Sequence, residues 1–431
     1  MSNRSLIEAT LSVVGATIWH LFSNPKAPLF FSTNCLKCDY ISQIGAPDPM
    51  CQSTISLTSV RKRPFRRQSI IASLFISGVT LLAVLRTRYS NSDKSVSAYI
   101  NPLPPRRKAP GSNLIIIAHA RTGSSWLGKL FDSNPEVFYI YEPLYVLQRT
   151  TLENSGLYNQ AAVELLQDIF RCNFSAQDEF VRFLSSLPHQ RFSSKSLFNQ
   201  FCFISQRVVR VSPRKYLCEE LTAHNVSRVC NSHAHVVVKT LSHRFPLKMK
   251  TLQILFNKIE NINIIHLVRD PRAVIDSFRR VGWISGYNRH STDAHSSSDN
   301  ISSSFKSNIK RFCSSMIKEL YFIVQAEEKF PKRYRMTTYE KLVHDPLHES
   351  QKLYEFAGIP FSYKTRDWIA LGASQHFRSR SNSPYSLFRP NANRLIDFWR
   401  TQLGKNKTKF LEKQCLPVLN LLGYRRVFSD D

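Results

Sequence analysis

The sequence predicts an α/β fold, in which helices flank a parallel sheet, preceded by one membrane-spanning helix. From about residue 113 onward, short apolar runs alternate with stretches of helical periodicity. Two of these runs, 114–118 and 262–268, lead directly into polar loops and then into helices. A separate uncharged run at 69–85 follows a cluster of basic residues. Alternating strands and helices are typical of a parallel sheet covered on its faces by helices.

The uncharged run 69–85 lies at the short end of the range for a transmembrane helix. The segment 61–67 (RKRPFRR) precedes it, whereas only Arg86 and Arg88 follow it closely. This basic excess predicts a type II signal-anchor, with a cytoplasmic N-terminus and a lumenal remainder. The alternative, a buried core helix, is disfavoured by the basic flank. We therefore expect a cytoplasmic tail at 1–68, a span at 69–85, a proline-rich stem at 86–112 and a lumenal domain at 113–431.

The cysteines and glycosylation sequons agree with a lumenal domain. An even number of cysteines follows the span, which suits disulfides in an oxidising compartment. They are Cys172, Cys202, Cys218, Cys230, Cys313 and Cys415. Cys218 with Cys230 is the pair that the spacing favours. Four Asn-x-Ser/Thr sequons also follow the span, at Asn173, Asn225, Asn300 and Asn406, as expected for a lumenal glycoprotein.

The lumenal domain can be divided into elements in chain order. Leu114–Ala118 is predicted to be a buried strand that feeds a helix beginning near Trp126. Val137–Tyr141 is the next strand, and it ends at Glu142. The run 236–238 is a short strand that ends at Lys239. The remaining predicted elements are helices at 157–170, 247–260, 273–280, 305–330, 348–358 and 405–422, a strand at 262–268, and a Ser-rich loop at 285–304.

The first strand-loop-helix unit has the features of an anion site. Gly123 lets the backbone approach an anion closely, and Ser124 and Ser125 add hydroxyl and N–H groups. Arg121 supplies a charged planar fork that matches phosphate or sulfate oxygens. The loop lacks the glycine spacing and the Lys-Ser/Thr pair of an ordinary ATP-binding P-loop. A structural turn remains the alternative interpretation of this loop taken alone.

The second unit runs from Arg269 to Ser277. Arg269 leaves a strand at its carboxyl end, where ligands bind in open α/β sheets. Asp270 is suited to cap the next helix, and Pro271 to its first turn. Ser277 follows about two turns into that helix. The pair predicts a second phosphate site, and a capped helix with surface arginines is the alternative.

Taken together, the two units resemble the Golgi carbohydrate sulfotransferases that act on the 6-hydroxyl of galactose, N-acetylgalactosamine or N-acetylglucosamine. The segment 121–126 (RTGSSW) resembles that family's 5′-phosphosulfate loop, and 268–274 (VRDPRAV) with Ser277 resembles its 3′-phosphate motif. Further similarity lies at 339–342, 399–403 and 422–424. The resemblance covers about 113 to 425. It implies a P-loop-like, PAPS-dependent sulfotransferase fold, a glycan or proteoglycan acceptor, and a Golgi membrane location.

The resemblance also implies roles for individual residues. Arg121 is expected to stabilise the transferring group, and Glu142 is the candidate base that takes the acceptor's proton. A salt-bridged or helix-capping Glu142 is the structural alternative, and His119 and Lys239 are weaker candidates for the same edge. No metal is expected, since no complete metal-ligand pattern occurs in the sequence. The residues expected to bind the cofactor are Arg121, Thr122, Gly123, Ser124, Ser125, Trp126, Arg269, Ser277 and Arg389.

The charge of the chain is compatible with this assignment but does not distinguish it from other functions that involve an anionic partner. Fifty-nine Lys and Arg against 31 Asp and Glu give a formal net charge of +28, which favours an anionic partner. A nucleic-acid binder would fit the charge but not the span, the sequons or the cysteines. A sulfotransferase for another acceptor (heparan, a 4-hydroxyl or tyrosine) and an inactive membrane-anchored binder of anionic glycans remain the alternatives.

Overall fold

A computed structural model describes residues 111–149, 156–204, 216–284, 301–373, 387 and 392–428. The predicted span 69–85, the stem up to residue 110, most of the Ser-rich loop, Asn300 and Arg389 lie outside these residues. Within the described part of the chain, no helix combines the length and the apolar character needed to cross a membrane.

Seven strands are described. They are β1 (Asn113–Ala118), β2 (Val137–Tyr141), β3 (Cys202–Ile204), β4 (Tyr216–Cys218), β5 (His235–Leu241), β6 (Ile262–Val268) and β7 (Tyr334–Thr338). Five of them form a sheet in the order β2-β5-β1-β6-β7, and every pairing in it is parallel. Strands β3 and β4 form a separate antiparallel pair. The predicted parallel sheet is confirmed, but β5 lies between β1 and β2, so the second strand of the chain is not the neighbour of the first.

The described helices connect and cover these strands. They are α1 (Ser124–Asp132), α2 (Tyr145–Arg149), α3 (Tyr158–Phe170), α4 (Asp178–Ser186), α5 (Pro188–Phe192), α6 (Lys195–Phe201), α7 (Ala223–Asn231), α8 (Met249–Lys258), α9 (Pro271–Val281), α10 (Ser303–Lys329), α11 (Tyr339–His344), α12 (Pro346–Ala357), α13 (Tyr363–Ala373), α14 (Ala392–Ile396), α15 (Trp399–Gln402), α16 (Lys405–Gln414) and α17 (Leu416–Leu422). The helix expected at 405–422 is interrupted at Cys415, and α17 begins at Leu416 with Pro417 in its first turn, where a missing N–H is tolerated.

Strands β1, β2, β5 and β6 are buried on both faces of the sheet, which explains why they are largely apolar runs without alternation. On β1, Ile115 and Ile117 pack in one core, which includes α3, α8 and α10. Leu114 and Ile116 point to the opposite face, where α1 and α12 form a second core. Helices cover both faces of the sheet. Because the five strands are parallel, their carboxyl ends all lie at the same edge of the sheet.

Three disulfides lie in the described domain. They join Cys172 to Cys230, Cys202 to Cys218, and Cys313 to Cys415. The pairing of Cys218 with Cys230 that the spacing favoured is wrong. Cys218 lies on β4 directly opposite Cys202 on β3, whereas Cys230 is buried near the end of α7 and reaches Cys172 just beyond α3. The disulfide partners are therefore set by which secondary-structure elements pack together, and spacing along the chain alone does not identify them.

Candidate active site

The loop between β1 and α1 presents a helix N-terminus at the carboxyl edge of the sheet. Gly123 adopts a left-handed conformation with φ of 90°, and no side chain among the described residues caps α1. The buried Thr122 donates its hydroxyl to the carbonyl oxygen of His119 at 2.8 Å, which fixes the loop. The first N–H groups of a helix lack intrahelical partners, so this turn is suited to bind an anion.

The loop after β6 is built as the sequence predicted. Asp270 caps α9 by accepting from the Arg272 N–H at 2.8 Å, and Pro271 occupies the first turn. Arg272 also donates to the buried Glu412 and lies over the ring of Trp399. These contacts assign Arg272 to the scaffold. They leave Arg269 and Ser277 as the residues of this unit that face the first loop.

The two loops meet directly. Arg121 donates from Nε to the Ser277 hydroxyl at 3.0 Å, although these residues are 156 positions apart. Arg269 donates from Nη1 to the carbonyl oxygen of Arg121 at 3.1 Å. The structure therefore brings together the residues that the sequence assigned to two separate phosphates.

Arg269 has a donor that nothing in the described part of the chain satisfies. Its side chain is only 7% exposed, and its Nε has no hydrogen-bond partner among the described residues. An unpaired buried donor costs about 1–3 kcal/mol, and more if it is charged. An oxygen of an anionic ligand would satisfy this donor, so the position of Arg269 fits a phosphate group.

Glu142 follows β2 and is enclosed by two cations. Its two carboxylate oxygens accept separately from Lys239 of β5 and from Arg244, which lies beyond the end of β5. Burial alone would raise the pKa of the Glu142 carboxyl, but the charges of Lys239 and Arg244 outweigh burial and lower its pKa to about 2. Glu142 is therefore ionised at neutral pH. The salt bridge that the sequence left as an alternative is present.

A tyrosine links Glu142 to the first loop. The Tyr141 hydroxyl donates to Glu142 and accepts from the hydroxyl of Ser125 in the first turn of α1. Burial raises the pKa of Tyr141, so its hydroxyl remains protonated and able to donate. Ser125, Tyr141 and Glu142 thus form one hydrogen-bonded path between the helix N-terminus and the carboxylate.

Backbone strain marks the same two candidate residues. Only four non-glycine residues in the described ranges have positive φ, and Arg121 (67°) and Glu142 (46°) are two of them. Such conformations cost on the order of 1 kcal/mol or more and concentrate at functional sites. The other two lie elsewhere, so strain supports these candidates without identifying them alone.

The other predicted residues have simpler surroundings. Trp126 faces Trp368, with ring centroids 5.6 Å apart. His119 lies at the end of β1 against the rings of Phe278 and Phe312, at 6.1 and 5.2 Å. Lys239 is buried within β5, which continues to Leu241 and does not end at the lysine as expected.

Two residues at the site were given no role there from the sequence, although one of them, Tyr339, lies in the segment 339–342 that resembles the family. Arg244, the second partner of Glu142, also donates to Gln148 at 2.5 Å and lies over the ring of Tyr145. Tyr339, the first residue of α11, contacts both loops. Arg244 lies three residues beyond the end of β5, so a wider search at the carboxyl edge of the sheet could have found it.

Comparison with known proteins agrees with this geometry. Residues 113–363 match the model of a sulfotransferase family. The chain belongs to the sulfotransferase family. Carbohydrate sulfotransferase 3 of Tetronarce californica is 25% identical to this sulfotransferase, over 88% of this chain and 86% of the relative. Carbohydrate sulfotransferase 4 of Mus musculus is 28% identical over 74% and 83% of the two chains.

These relatives confirm the resemblance to the carbohydrate sulfotransferases and the predicted enzyme class. Among solved structures, the sulfotransferase domain from the Synechococcus PCC 7002 olefin synthase is 16% identical. It aligns over 75% of this chain and 99% of that domain, with a TM-score of 0.37.

Proposed function

We propose that this chain transfers a sulfuryl group from PAPS to a sugar hydroxyl of a glycan or proteoglycan, the 6-hydroxyl of galactose, N-acetylgalactosamine or N-acetylglucosamine. The observation that carries the proposal is the meeting of two anion loops through Arg121, Ser277 and Arg269. PAPS bears a 3′-phosphate and a 5′-phosphosulfate on its ribose, so two anion loops that lie close together suit it. The names of the relatives support a carbohydrate acceptor.

Each loop has donors that suit one end of the cofactor. The N-terminus of α1, with Arg121 and the hydroxyls of Ser124 and Ser125, would hold the 5′-phosphosulfate. Arg269 and Ser277 would hold the 3′-phosphate. The buried Nε of Arg269, which has no hydrogen-bond partner among the described residues, would donate to an oxygen of that phosphate. When bound, PAPS supplies an activated sulfuryl group whose bond to the 5′-phosphate breaks as the acceptor oxygen bonds to sulfur. Arg121 stabilises the charge that develops on the departing phosphate oxygen.

The acceptor hydroxyl must lose its proton, and Glu142 is the residue that we assign to accept it. A carboxylate with a pKa near 2 is always ionised at neutral pH, but the two cations also make it a weak base. Its strength as a base therefore depends on how closely Lys239 and Arg244 remain paired with it. Lys239, at the same edge, adds positive charge where negative charge develops.

The proposal is tested by incubating the purified full-length chain with sulfur-labelled PAPS and a panel of acceptors. The panel contains desulfated chondroitin, desulfated keratan and N-acetylglucosamine-terminated glycans, with heparan and a tyrosine peptide for comparison. Labelled 6-O-sulfated sugar is the expected product. Transfer only to heparan, to a 4-hydroxyl or to tyrosine would replace the proposed acceptor, and binding of PAP without transfer to any acceptor would indicate an inactive glycan binder.

We further propose that the enzyme is a type II Golgi membrane protein with the domain boundaries given above. The apolar run 69–85 and its basic flank support the anchor, and the start of the family match at residue 113 supports the domain boundary. Three disulfides in the described domain suit the oxidising lumen. Protease protection of the catalytic domain in sealed Golgi vesicles, lost on adding detergent, is the expected result.

A further inference from the structure

One aromatic ring lies between the two anion loops. Helix α11 begins where β7 ends, at the same carboxyl edge as both loops, and Thr338 caps it by accepting from the Lys341 N–H. Its first residue, Tyr339, lies so close to Gly123 that a Cβ atom there would be 2.5 Å from the ring. The guanidinium carbon of Arg269 lies 4.1 Å from the centroid of the same ring. Tyr339 therefore touches the 5′ loop and the 3′ arginine at once.

The neighbouring residue holds this ring in place. Glu340 accepts from the N–H of Asp270 at 3.2 Å and from the hydroxyl of Tyr424 at 2.6 Å. Asp270 is the cap of α9, so α11 is tied to the 3′ loop by the side chain of Glu340 as well as by the ring of Tyr339. These bonds hold the start of α11, and with it the backbone of Tyr339, against the 3′ loop.

Stacking determines how Arg269 can use its donors. The guanidinium is planar, so a ring over its face leaves its N–H groups to donate outward from its edge. Nη1 donates to Arg121, and the buried Nε remains unpaired among the described residues. The ring thus fixes the direction of the free donor relative to the backbone of the first loop.

We propose that Tyr339 is a positioning residue that couples the binding of the two phosphates of the cofactor. The inference rests on the proposed use of PAPS. The ring sets the separation between the N-terminus of α1 and Arg269, so that one ligand can satisfy both loops without rearranging them. Gly123 is required at the contact because any side chain there would push the ring away.

The experiment measures the binding of PAP, which has both phosphates, and of AMP, which has only the 5′-phosphate, to the full-length chain by calorimetry. The variants are Tyr339→Leu, which removes the ring, and Tyr339→Phe, which keeps it. Tyr363→Leu is the matched control, because Tyr363 is 69% exposed on α13. Tyr339→Met, which is flexible but lacks a ring face, provides a second test if the leucine variant does not fold.

We expect Tyr339→Leu to weaken PAP binding about tenfold and AMP binding by less than about threefold, because AMP does not use Arg269. The advantage of PAP over AMP then shrinks, which a general loss of stability would not produce. Tyr339→Phe and Tyr363→Leu should stay within about twofold of the wild type for both nucleotides. Equal losses for PAP and AMP, or no loss for either, would overturn the inference while PAP binding by the wild type still supports the function. A wild type that binds neither nucleotide overturns the proposed function, and the inference with it.

Discussion

Replacing Glu142 with glutamine is the perturbation that best separates chemistry from structure at this site. Glutamine keeps the shape of the side chain but removes the charge that Lys239 and Arg244 surround. If the carboxylate accepts the acceptor's proton, turnover should fall about 10²–10⁴-fold, the range for loss of a general base. Binding of PAP should stay within about threefold, because the donors assigned to the phosphates are unchanged.

The same substitution has a cost in stability that can be calculated from the structure. Removing one partner of a buried ion pair costs about 3–5 kcal/mol, which corresponds to roughly 5 °C in Tm for a domain of this size. The pKa of Glu142 falls from its ordinary value of 4.5 to about 2 on folding. This difference is worth on the order of 3 kcal/mol, fully present above about pH 4.5 and lost as the pH falls towards 2. Acid unfolding of the variant should therefore be less steep in that window.

The assay combines initial rates with labelled PAPS, calorimetric PAP binding and thermal unfolding between pH 2 and 7. Glu412→Gln is the matched control, since Glu412 is a buried glutamate that pairs with Arg272 away from the candidate base. It should lower Tm by a similar amount and leave kcat within about threefold. This comparison separates a loss of folded protein from a loss of catalysis.

Two results would refute the assignment of Glu142 as the base. One is a folded Glu142→Gln enzyme that turns over at the wild-type rate. The other is recovery of turnover in Glu142→Gln combined with Lys239→Gln, because a carboxylate needed only to balance charge becomes dispensable when a facing cation is also removed.

Three further predictions follow from the contacts of the two loops and from the disulfides. Arg121→Ala should lower kcat about 10²–10³-fold by removing charge stabilisation at the leaving oxygen, measured with labelled PAPS; a loss below tenfold would contradict its placement. Ser277→Ala should weaken PAP binding about fivefold, because Arg121 loses the hydroxyl that orients it; unchanged calorimetric affinity would argue against that contact. Replacing Cys313 and Cys415 by serine should lower the free energy of unfolding by about 2–5 kcal/mol, since their bond closes a long loop; an unaltered Tm would show that the bond does not form.

Much of the fold follows from local pattern. β1, β2, β5 and β6 are apolar runs because both faces of the sheet are covered, and such runs can be identified without knowing their neighbours. β7 was missed because it is an edge strand whose sequence, YRMTT, includes exposed and polar residues. Tyr339 follows that strand, so without β7 the resemblance at 339–342 gave no indication that this residue lies between the loops.

Strand order decided which groups meet at the site. β5 lies between β1 and β2, which places Lys239 beside Glu142 and brings Arg244 to its other oxygen. The sequence left two interpretations of Glu142, a base or a salt-bridged residue. The structure shows both salt bridges, so a role as the base has to account for the two cations that Glu142 contacts. The disulfides likewise depend on the tertiary structure, because six cysteines allow 15 pairings and packing selects among them.

The sequence by itself determined the chemistry of each loop, because a helix cap, a glycine turn and a strand end are set by neighbouring residues. Gly123, Asp270 and Pro271 adopt the conformations expected of their residue types. Only the tertiary structure decided that Arg121 meets Ser277, 156 positions away, and that one ring joins both loops, because these partners are distant along the chain. Contacts at that distance depend on the order in which the strands assemble, which no local pattern encodes.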